Sequence, residues 1–373
     1  MSEVALVPQL RFPEFGGEWE EKKLGSIATF FNSMRVPLTE SDRIKGVYPY
    51  YGASGVIDYV EDYIFNGEYI LLGEDGANIV LRNSRLVFLA KGKFWVNNHA
   101  HIFQSKESNY FLCEALERIN YSKYNTGTAQ PKLNSDVVKK IKLNQPTLPE
   151  QQKIAAFLSA VDNKIELLRQ KQALLGEYKK GVMQQIFSQN IRFRADDGSD
   201  FPDWEEKKLS SQCVIKKGSQ LNKEYLTDEG DYPALNGGIN PSGYTTNWNT
   251  EASTITISEG GNSCGFVNFV TTRFWSGGHN YSLQELKKSI DANYMYQYLK
   301  FNELQIMRLR VGSGLPNIQK GEVSNFKVKL PSLVEQNKIA NFLSSIDNKT
   351  LQVGKQLDES KQFKKALLQQ MFV

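Results

Sequence analysis

Two long segments of the chain carry apolar residues at alternating steps of four and three, the spacing of helices that pack along one side. The pattern lasts about four heptads in each segment, which predicts two long helices that form a coiled-coil pair. The first helix is expected to begin near Pro149 and the second near Leu333. The alternative is a pair of ordinary amphipathic helices, each covering its own domain. The positions predicted to pack are Ile154, Leu158, Val161, Ile165, Leu168, Leu175, Ile339, Leu343, Ile346, Val353, Leu357 and Leu367.

The segments that precede the helices alternate short apolar runs with Gly and Asn turns, a pattern typical of strands. Residues 68–72 are predicted to form a strand, Asp75 and Gly76 a hairpin turn, and residues 77–82 the return strand. The second half predicts a similar hairpin, with strands at residues 253–258 and 264–270 and a turn at residues 260–262.

The two halves of the chain repeat each other. The sequence Trp-Glu-Glu-Lys-Lys-Leu begins at Trp19 and again at Trp204, 185 residues later. The same offset carries Asp162 of the first helix onto Asp347 of the second. Because the offset holds at both ends of so long a unit, we interpret the chain as a tandem duplication.

Composition narrows the class of protein. The chain has 373 residues, 40% of them hydrophobic and 23% charged, which is typical of a globular protein with two or more domains. We expect neither a membrane span nor a signal peptide, because no apolar run approaches 18 residues and the start lacks a basic segment before an apolar one. Three cysteines far apart favour a reducing cytoplasm over a disulfide framework.

A search for catalytic chemistry gives only weak matches. The sequence contains no phosphate-binding loop, and residues 240–244 lack the second proline of an amino-methyltransferase signature. Residues 202–207 resemble an acidic-lysine nuclease core, but their acidic residues are nearly adjacent instead of lying on separate strands. The three histidines His99, His101 and His279 show no metal-ligand spacing. We therefore predict neither catalytic residues nor a metal site.

Several stretches together carry a resemblance to a known family. The stretches are residues 48–55, Gly-Glu-Asp-Gly at 73–76, residues 94–100, residues 126–133 and Leu-Pro-Glu-Gln-Gln-Lys-Ile-Ala at 148–155, whose counterpart begins at Leu333. In this order and with this duplication, the chain resembles the specificity subunit of type I restriction-modification systems over essentially its whole length.

The resemblance implies an α+β fold: two pseudo-symmetric mixed α/β target-recognition domains joined by two long antiparallel coiled-coil helices. The expected segments are domain 1 at residues 1–148, the central spacer helix at 149–190, domain 2 at 191–332 and the C-terminal spacer helix at 333–373. Each domain would read one half of a bipartite DNA sequence, and the helices would set the spacing between the half-sites.

The resemblance also implies partners. Two modification (methyltransferase) subunits would dock on the helices, and two restriction (helicase-nuclease) subunits would complete the complex in the cytoplasm. S-adenosylmethionine, ATP and Mg would belong to those partner subunits, so that this chain would direct adenine methylation or restriction without catalysing either. The alternative is a duplicated DNA-binding scaffold protein that acts without methyltransferase partners.

Side chains that could reach bases or phosphates are the candidate DNA-binding residues. They are Tyr51, Ser54, Arg82, Asn83, Arg85, Lys91 and Lys93 in the first domain, and Asn236, Asn240, Asn247, Asn249, Arg273, Asn280, Arg308 and Arg310 in the second. Trp95 and Trp275 occupy repeated positions and are expected in the core. His99 and His279 also repeat and are expected to pack or hydrogen-bond internally.

The distribution of charge bears on how the chain would bind DNA. The net charge is +4. Residues 1–149 and 191–334 are each neutral overall, and the two helical segments carry +2 each. Because phosphate contacts supply much of the affinity for DNA, we expect weak binding by the chain alone, with partners providing much of the phosphate contact.

Overall fold

The computed structural model of the chain describes residues 7–312, 314 and 316–373. They form two compact units, each built from one β-rich domain and segments of both long helices. Unit 1 extends through Arg169 and is completed by Gln356–Val373, and unit 2 is Gln170–Lys355. The expected α+β fold class is confirmed. The division of the sequence at residues 148, 190 and 332 stays a prediction.

The domain of unit 1 is a six-stranded sheet with short helices and a small two-stranded sheet. Its elements are β1 (Glu20–Lys23), α1 (Leu24–Ile27), β2 (Ala28–Phe30), β3 (Lys45–Gly52), β4 (Gly55–Val60), β5 (Phe65–Gly73), α2 (Asn78–Leu81), β6 (Val87–Val96), β7 (Ala100–Ser105), α3 (Asn109–Glu117), α4 (Ser135–Lys139) and β8 (Lys142–Gln145). The strand order of the large sheet is β2-β7-β5-β6-β3-β4, and β1 pairs with β8.

Strand β5 lies inside this sheet, and its second half is buried on both faces. Ile70 and Leu72 pack into one apolar cluster, and Leu71 between them packs into another. Successive side chains of a strand point to opposite faces, so the run Ile-Leu-Leu supplies both layers of the core.

The predicted return strand at residues 77–82 is wrong. Asn78–Leu81 forms the short helix α2, and the strand that pairs antiparallel with β5 is β6. The apolar run Ile-Val-Leu suits a helix as well as a strand, and Ile79 is completely buried. Arg82 ends the helix in a left-handed conformation, with a φ of 53°. The side chain of Asn78 binds the backbone of Ser84 at both its N–H and its carbonyl oxygen.

Unit 2 repeats this architecture in a shorter form. Its elements are β9 (Glu205–Lys208), β10 (Val214–Lys217), β11 (Tyr232–Leu235), β12 (Gly243–Thr245), β13 (Thr254–Ser258), β14 (Val267–Val270), β15 (Trp275–Ser276), β16 (Asn280–Gln284), α6 (Ala292–Phe301), α7 (Glu303–Met307), α8 (Lys320–Asn325) and β17 (Lys327–Leu330). The sheets are β10-β16-β13-β14, β12-β11-β15 and β17-β9. Here the predicted hairpin is correct, because β13 pairs antiparallel with β14.

The two long helices are α5 (Leu148–Phe187) and α9 (Leu333–Gln370). Pro149 lies in the first turn of α5, where its missing N–H removes no helical hydrogen bond. Ser332 caps α9 by accepting a hydrogen bond from the backbone N–H of Glu335 at 3.4 Å. Nine positions of the predicted stripe are buried, and Val161, Leu168 and Leu175 are half-buried. The buried positions are Ile154, Leu158, Ile165, Ile339, Leu343, Ile346, Val353, Leu357 and Leu367.

Within each unit, the two helical segments run antiparallel. In unit 1, the ammonium group of Lys364 lies 2.7 Å from the carboxylate of Asp162, and Leu367 joins the apolar cluster that contains Ile154 near the start of α5. In unit 2, Lys179 binds Asp347 at 2.6 Å. Residues near the end of α5 share a core there with residues near the start of α9.

The beginning of each long helix also covers the domain that precedes it. Ile154 and Leu158 pack in the same cluster as Trp19 and Phe111 of the first domain. The alternative interpretation of the stripe, an amphipathic helix that covers its own domain, therefore describes this part of the helix. The apolar side of the helix therefore contacts both the preceding domain and the other long helix.

A buried carboxylate anchors the N-terminal end of each long helix. The guanidinium of Arg11 binds Glu150 through two hydrogen bonds of 2.7 Å, and Arg192 binds Glu335 at 3.1 and 2.8 Å. The Glu335 side chain is 0% exposed. Both arginines also donate to backbone carbonyl oxygens of the segment that leads into the domain. These bidentate pairs attach that segment to the helix.

Replacing Arg192 by Ala should destabilise unit 2 strongly, because it leaves the buried carboxylate of Glu335 without its cationic partner. A loss of this kind costs about 3–5 kcal/mol of unfolding free energy. The measurement is a denaturant titration of the purified chain. Arg194→Ala is the matched control, because the Arg194–Asp200 pair is 72% and 85% exposed. An effect of R192A as small as that of R194A would contradict the anchoring role.

Candidate nucleic-acid interface

Four segments that are far apart in the sequence meet at one end of the large sheet in unit 1. We call residues 51–54, 74–76, 97–99 and 126–133 loop cluster 1. Backbone hydrogen bonds join them: Asn97 N–H donates to the Tyr51 carbonyl at 3.0 Å, and Glu74 N–H donates to His99 at 2.8 Å. Gly76 N–H donates to the Pro131 carbonyl at 3.0 Å. They belong to four of the five stretches that carry the family resemblance in the sequence.

Ion pairs and hydrogen bonds of charged side chains stabilise loop cluster 1. The guanidinium of Arg35 binds the carboxylate of Glu74 at 2.7 Å and the Ala100 carbonyl at 2.7 Å. Lys132 lies 3.5 Å from the same carboxylate. Burial acts to raise the pKa of Glu74, but the hydrogen bond from Arg35 and the neighbouring basic groups outweigh it and lower that pKa. Glu74 is therefore a carboxylate whose charge is used within the protein.

His101 lies beneath the cluster and is 1% exposed. Its Nδ1 accepts a hydrogen bond from the Asn32 amide at 3.0 Å, so Nε2 carries the proton and donates to the Leu133 carbonyl at 2.7 Å. Burial lowers the pKa of His101, which favours this neutral form.

Unit 2 contains a matching arrangement, loop cluster 2, at residues 235–238, 259–261, 277–279 and 316–318. Gly277 N–H donates to the Leu235 carbonyl at 2.7 Å, Glu259 N–H to His279 at 2.9 Å, and Gly261 N–H to Pro316 at 3.0 Å. Each bond has its equivalent in loop cluster 1. The backbone scaffold is thus the same in both units.

The side chains on this shared scaffold differ between the units. In unit 2 the buried carboxylate is Glu259, which accepts hydrogen bonds from Lys217 at 2.6 Å and from the Tyr281 hydroxyl at 2.9 Å. Tyr281 therefore stands where unit 1 has His101. In loop cluster 1, Asp75 binds the His99 ring at 2.7 Å, and the equivalent of Asp75 is Gly260.

Two of the candidate residues of the first domain belong to loop cluster 1, and the others lie outside it. Tyr51 is half-buried and stacks on Phe88, and Ser54 is exposed in the turn between β3 and β4. Arg82 and Arg85 lie beyond α2, where they bind Glu117 at 2.7 Å and Glu114 at 3.0 Å; Asn83 is exposed between them. On β6, Lys91 pairs with Glu68, and Lys93 lies over the rings of Tyr48 and Tyr63.

The candidates of the second domain fall into internal and exposed groups. The Asn236 side chain accepts from the His279 N–H at 3.1 Å, Asn249 exchanges hydrogen bonds with the backbone of Ser276, and Asn280 is buried. Asn240 and Asn247 are exposed in loops, and Arg308 and Arg310 follow α7. Arg273 binds Glu251 and lies over the Trp248 ring. DNA contact by any of the fifteen residues stays a prediction.

The two repeated tryptophans are only half-buried, so their expected place in the core is corrected. Each indole N–H donates to a backbone carbonyl: Trp95 to Val36 at 2.6 Å and Trp275 to Ser219 at 2.8 Å. The repeated feature is therefore a polar contact that fixes a loop. His99 and His279 make side-chain contacts with acidic residues, although both rings are largely exposed.

Sequence reasoning missed the residues that hold the loop clusters together. Arg35, Glu74, Lys217 and Glu259 were not among the candidates. The usable signal was the 185-residue offset itself, because it carries Glu74 onto Glu259 inside two otherwise diverging segments. Within the described ranges, no group of three or more His, Cys, Asp or Glu residues is suited to hold a metal ion. Among the helices of these ranges, none has an apolar stretch that could span a bilayer.

Comparison with known proteins adds a family model and several relatives. The model described as "Type I restriction modification DNA specificity domain" matches residues 16–177 and 202–360. A putative type I restriction enzyme specificity subunit of Haemophilus influenzae is 38% identical over 148 residues, which cover 39% of this chain and 38% of that relative. A type I restriction enzyme specificity subunit of Methanocaldococcus jannaschii is 24% identical over 384 residues, covering 91% of this chain and 88% of the relative.

A solved structure extends the likeness of fold to nearly the whole chain. The crystal structure of the type I restriction-modification S subunit from M. genitalium has a TM-score of 0.72 at 20% identity. It covers 98% of this chain and 99% of its own. Three of the curated relatives, by contrast, are matched over only 38% to 43% of their length.

The burial of His101 predicts a pH-dependent stability. Its pKa in the folded chain lies below the value of about 6.5 for an exposed histidine. As the pH falls below about 6.5, the unfolded chain binds a proton first, so the free energy of unfolding should decrease. His101→Gln keeps a neutral donor and acceptor and should reduce the difference in stability between pH 7.5 and 5.5, measured by urea titration. His279→Gln, whose side chain is 64% exposed in the wild type, is the control. An unchanged difference in H101Q would refute the prediction.

Proposed function

Because the chain belongs to the family of type I restriction-modification DNA specificity domains, we propose that it recognises DNA sequence for such a system. It reads a bipartite, asymmetric target, one half-site for each domain, and directs adenine methylation or restriction by partner subunits. The observation that carries this proposal is the pair of loop clusters with the same backbone bonds and different side chains. A shared scaffold keeps the mode of contact with DNA, and different side chains select different bases.

The partners in this proposal are double-stranded DNA, two modification subunits and two restriction subunits in the cytoplasm. Duplication supports the number of modification subunits, because it gives the chain two equivalent helical segments on which identical partners can dock. S-adenosylmethionine, ATP and Mg belong to the partner subunits, and this chain takes no part in catalysis. A duplicated DNA-binding scaffold without methyltransferase partners is not favoured, because the family model matches both halves of the chain.

Exchanging residues 1–148 for the same segment of another specificity subunit should change one half-site only. The reason is that loop cluster 1 is built from this segment alone. The measurement is modified-base sequencing of DNA from cells that contain the modification subunits and either the parent or the exchanged chain. Cells without the chain are the control. A change in both half-sites would refute separate reading by the two domains.

Removing one heptad from each long helix should shorten the spacer between the half-sites. Deleting residues 168–174 together with 352–358 keeps the Asp162–Lys364 and Lys179–Asp347 pairs. Seven helical residues span about 10 Å, which is the length of about three base pairs. Because seven residues make nearly two whole turns, their removal rotates the rest of the helix by only about 20°. The same sequencing experiment reads the spacer directly. An unchanged spacer in a methylated target would exclude the helices as its ruler.

A further inference from the structure

Unit 2 contains a pocket of about 360 Å³ beside loop cluster 2. Its walls include the apolar side chains of Leu221, Leu226, Ala234 and Trp275. Polar side chains, among them those of Lys223, Asn236 and Ser242, complete the lining. An apolar pocket with a few polar groups is the usual form of a small-ligand site.

In unit 1 the equivalent place is filled by a tyrosine. Tyr50 pairs in parallel register with Trp95, just as Ala234 pairs with Trp275. The Tyr50 side chain is 1% exposed. Its hydroxyl accepts a hydrogen bond from the backbone N–H of Leu38 at 2.9 Å and lies 3.4 Å from the carbonyl of the same residue.

The surroundings of the two positions correspond residue by residue. In unit 1 the guanidinium of Arg43, which follows the short helical turn Glu40–Asp42, lies 4.9 Å from the centre of the Tyr50 ring. In unit 2 the turn Lys223–Tyr225 is followed by Leu226. Ala234 thus takes the place of Tyr50, and Leu226 takes the place of the Arg43 guanidinium above the Tyr50 ring. Leu221 takes the place of Leu38. The pocket therefore borders the position that the ring and hydroxyl of Tyr50 occupy in the other unit.

We propose that this pocket takes a single nucleobase of the target DNA, rotated out of the base stack. The proposal rests on DNA reading by unit 2, because Asn236 and Gly277 line the pocket and also belong to loop cluster 2. A base matches the tyrosine it replaces in being planar, with a polar edge. Apolar walls receive its faces, and Asn236, Ser242 and Lys223 offer hydrogen-bonding groups to its edge. Domain 1, whose pocket Tyr50 closes, reads its half-site without such a base.

The test fills the pocket with the side chain that closes it in unit 1. Wild-type and Ala234→Tyr chains are assembled with the modification subunits on duplexes of the target sequence, identified first by modified-base sequencing. Each position of the second half-site carries, in turn, a fluorescent base analogue whose emission rises when it leaves the stack. We expect a several-fold rise at one position with the wild-type chain and no rise there with A234Y. Methylation of the target should fall at least tenfold in A234Y.

Two controls make the result specific. Methyltransferases extrude their own target adenine, so the signal at that adenine should persist in A234Y. Tyr50→Ala opens the equivalent place in unit 1 and should leave the second half-site signal unchanged. Thermal melting checks that A234Y folds. If it does not, Ala234→Leu, which fills part of the pocket with a smaller side chain, replaces it.

Three outcomes would overturn the proposal. The first is that no position of the second half-site other than the methylated adenine responds with the wild-type chain. The second is that the response persists when the pocket is filled. The third is that A234Y blocks assembly with the modification subunits in the absence of DNA, which would assign the pocket to a partner's side chain. Failure of the proposed function is distinct, because the chain would then direct no methylation to a bipartite sequence.

Discussion

An ion pair between an aspartate on one long helix and a lysine on the other occurs in each unit and constrains the direction in which the two helices pack. Asp162 and Lys179 of α5 recur as Asp347 and Lys364 of α9. In unit 1 the pair is Asp162 with Lys364, and in unit 2 it is Lys179 with Asp347. Because the aspartate and the lysine both recur in the duplicated helix, the same two positions provide the ion pair of each unit. Because each pair joins an early position of one helix to a late position of the other, the contacts fix an antiparallel register that parallel helices could not satisfy.

Duplication also explains how one scaffold supports two different surfaces. The loop clusters are held by backbone hydrogen bonds, which constrain few side chains. Where a side chain does hold the scaffold, its partners have changed while the carboxylate remains. The largely buried Glu74 of unit 1 accepts from arginine, and the buried Glu259 of unit 2 accepts from lysine and tyrosine. Exposed positions of the loops carry no such requirement and were free to diverge.

The sequence predicted the features that periodicity and repetition encode. The long helices, the duplication and the hairpin of unit 2 follow from apolar spacing and turn residues. The prediction of a hairpin in unit 1 was wrong because the apolar run Ile79, Val80 and Leu81 shows neither a strand nor a helix period. In the folded chain this run is helical and buries Ile79. The loop clusters could not be derived from local patterns, since Arg35 and Glu74 meet only after strands distant in sequence have paired. The pocket could not be predicted from the sequence either, because it results from one difference, Ala234 in unit 2 for Tyr50 in unit 1. The two residues are recognised as equivalent only from the register in which each pairs with a tryptophan.

The two units attach their domains to the helices with different electrostatics, and this bears on which basic residues can serve DNA. In unit 1 the buried carboxylate of Glu114 binds Arg85 at 3.0 Å and lies 3.4 Å from Lys364. The equivalent residue of unit 2 is Gln297, a neutral amide that donates to Asp347. A buried charge needs its cations, so Arg85 is committed to the fold in unit 1. In unit 2 the neutral Gln297 needs no cationic partner at this position, and Arg308 and Arg310 are exposed. The two units therefore differ at this position in whether a basic residue is held by a buried carboxylate.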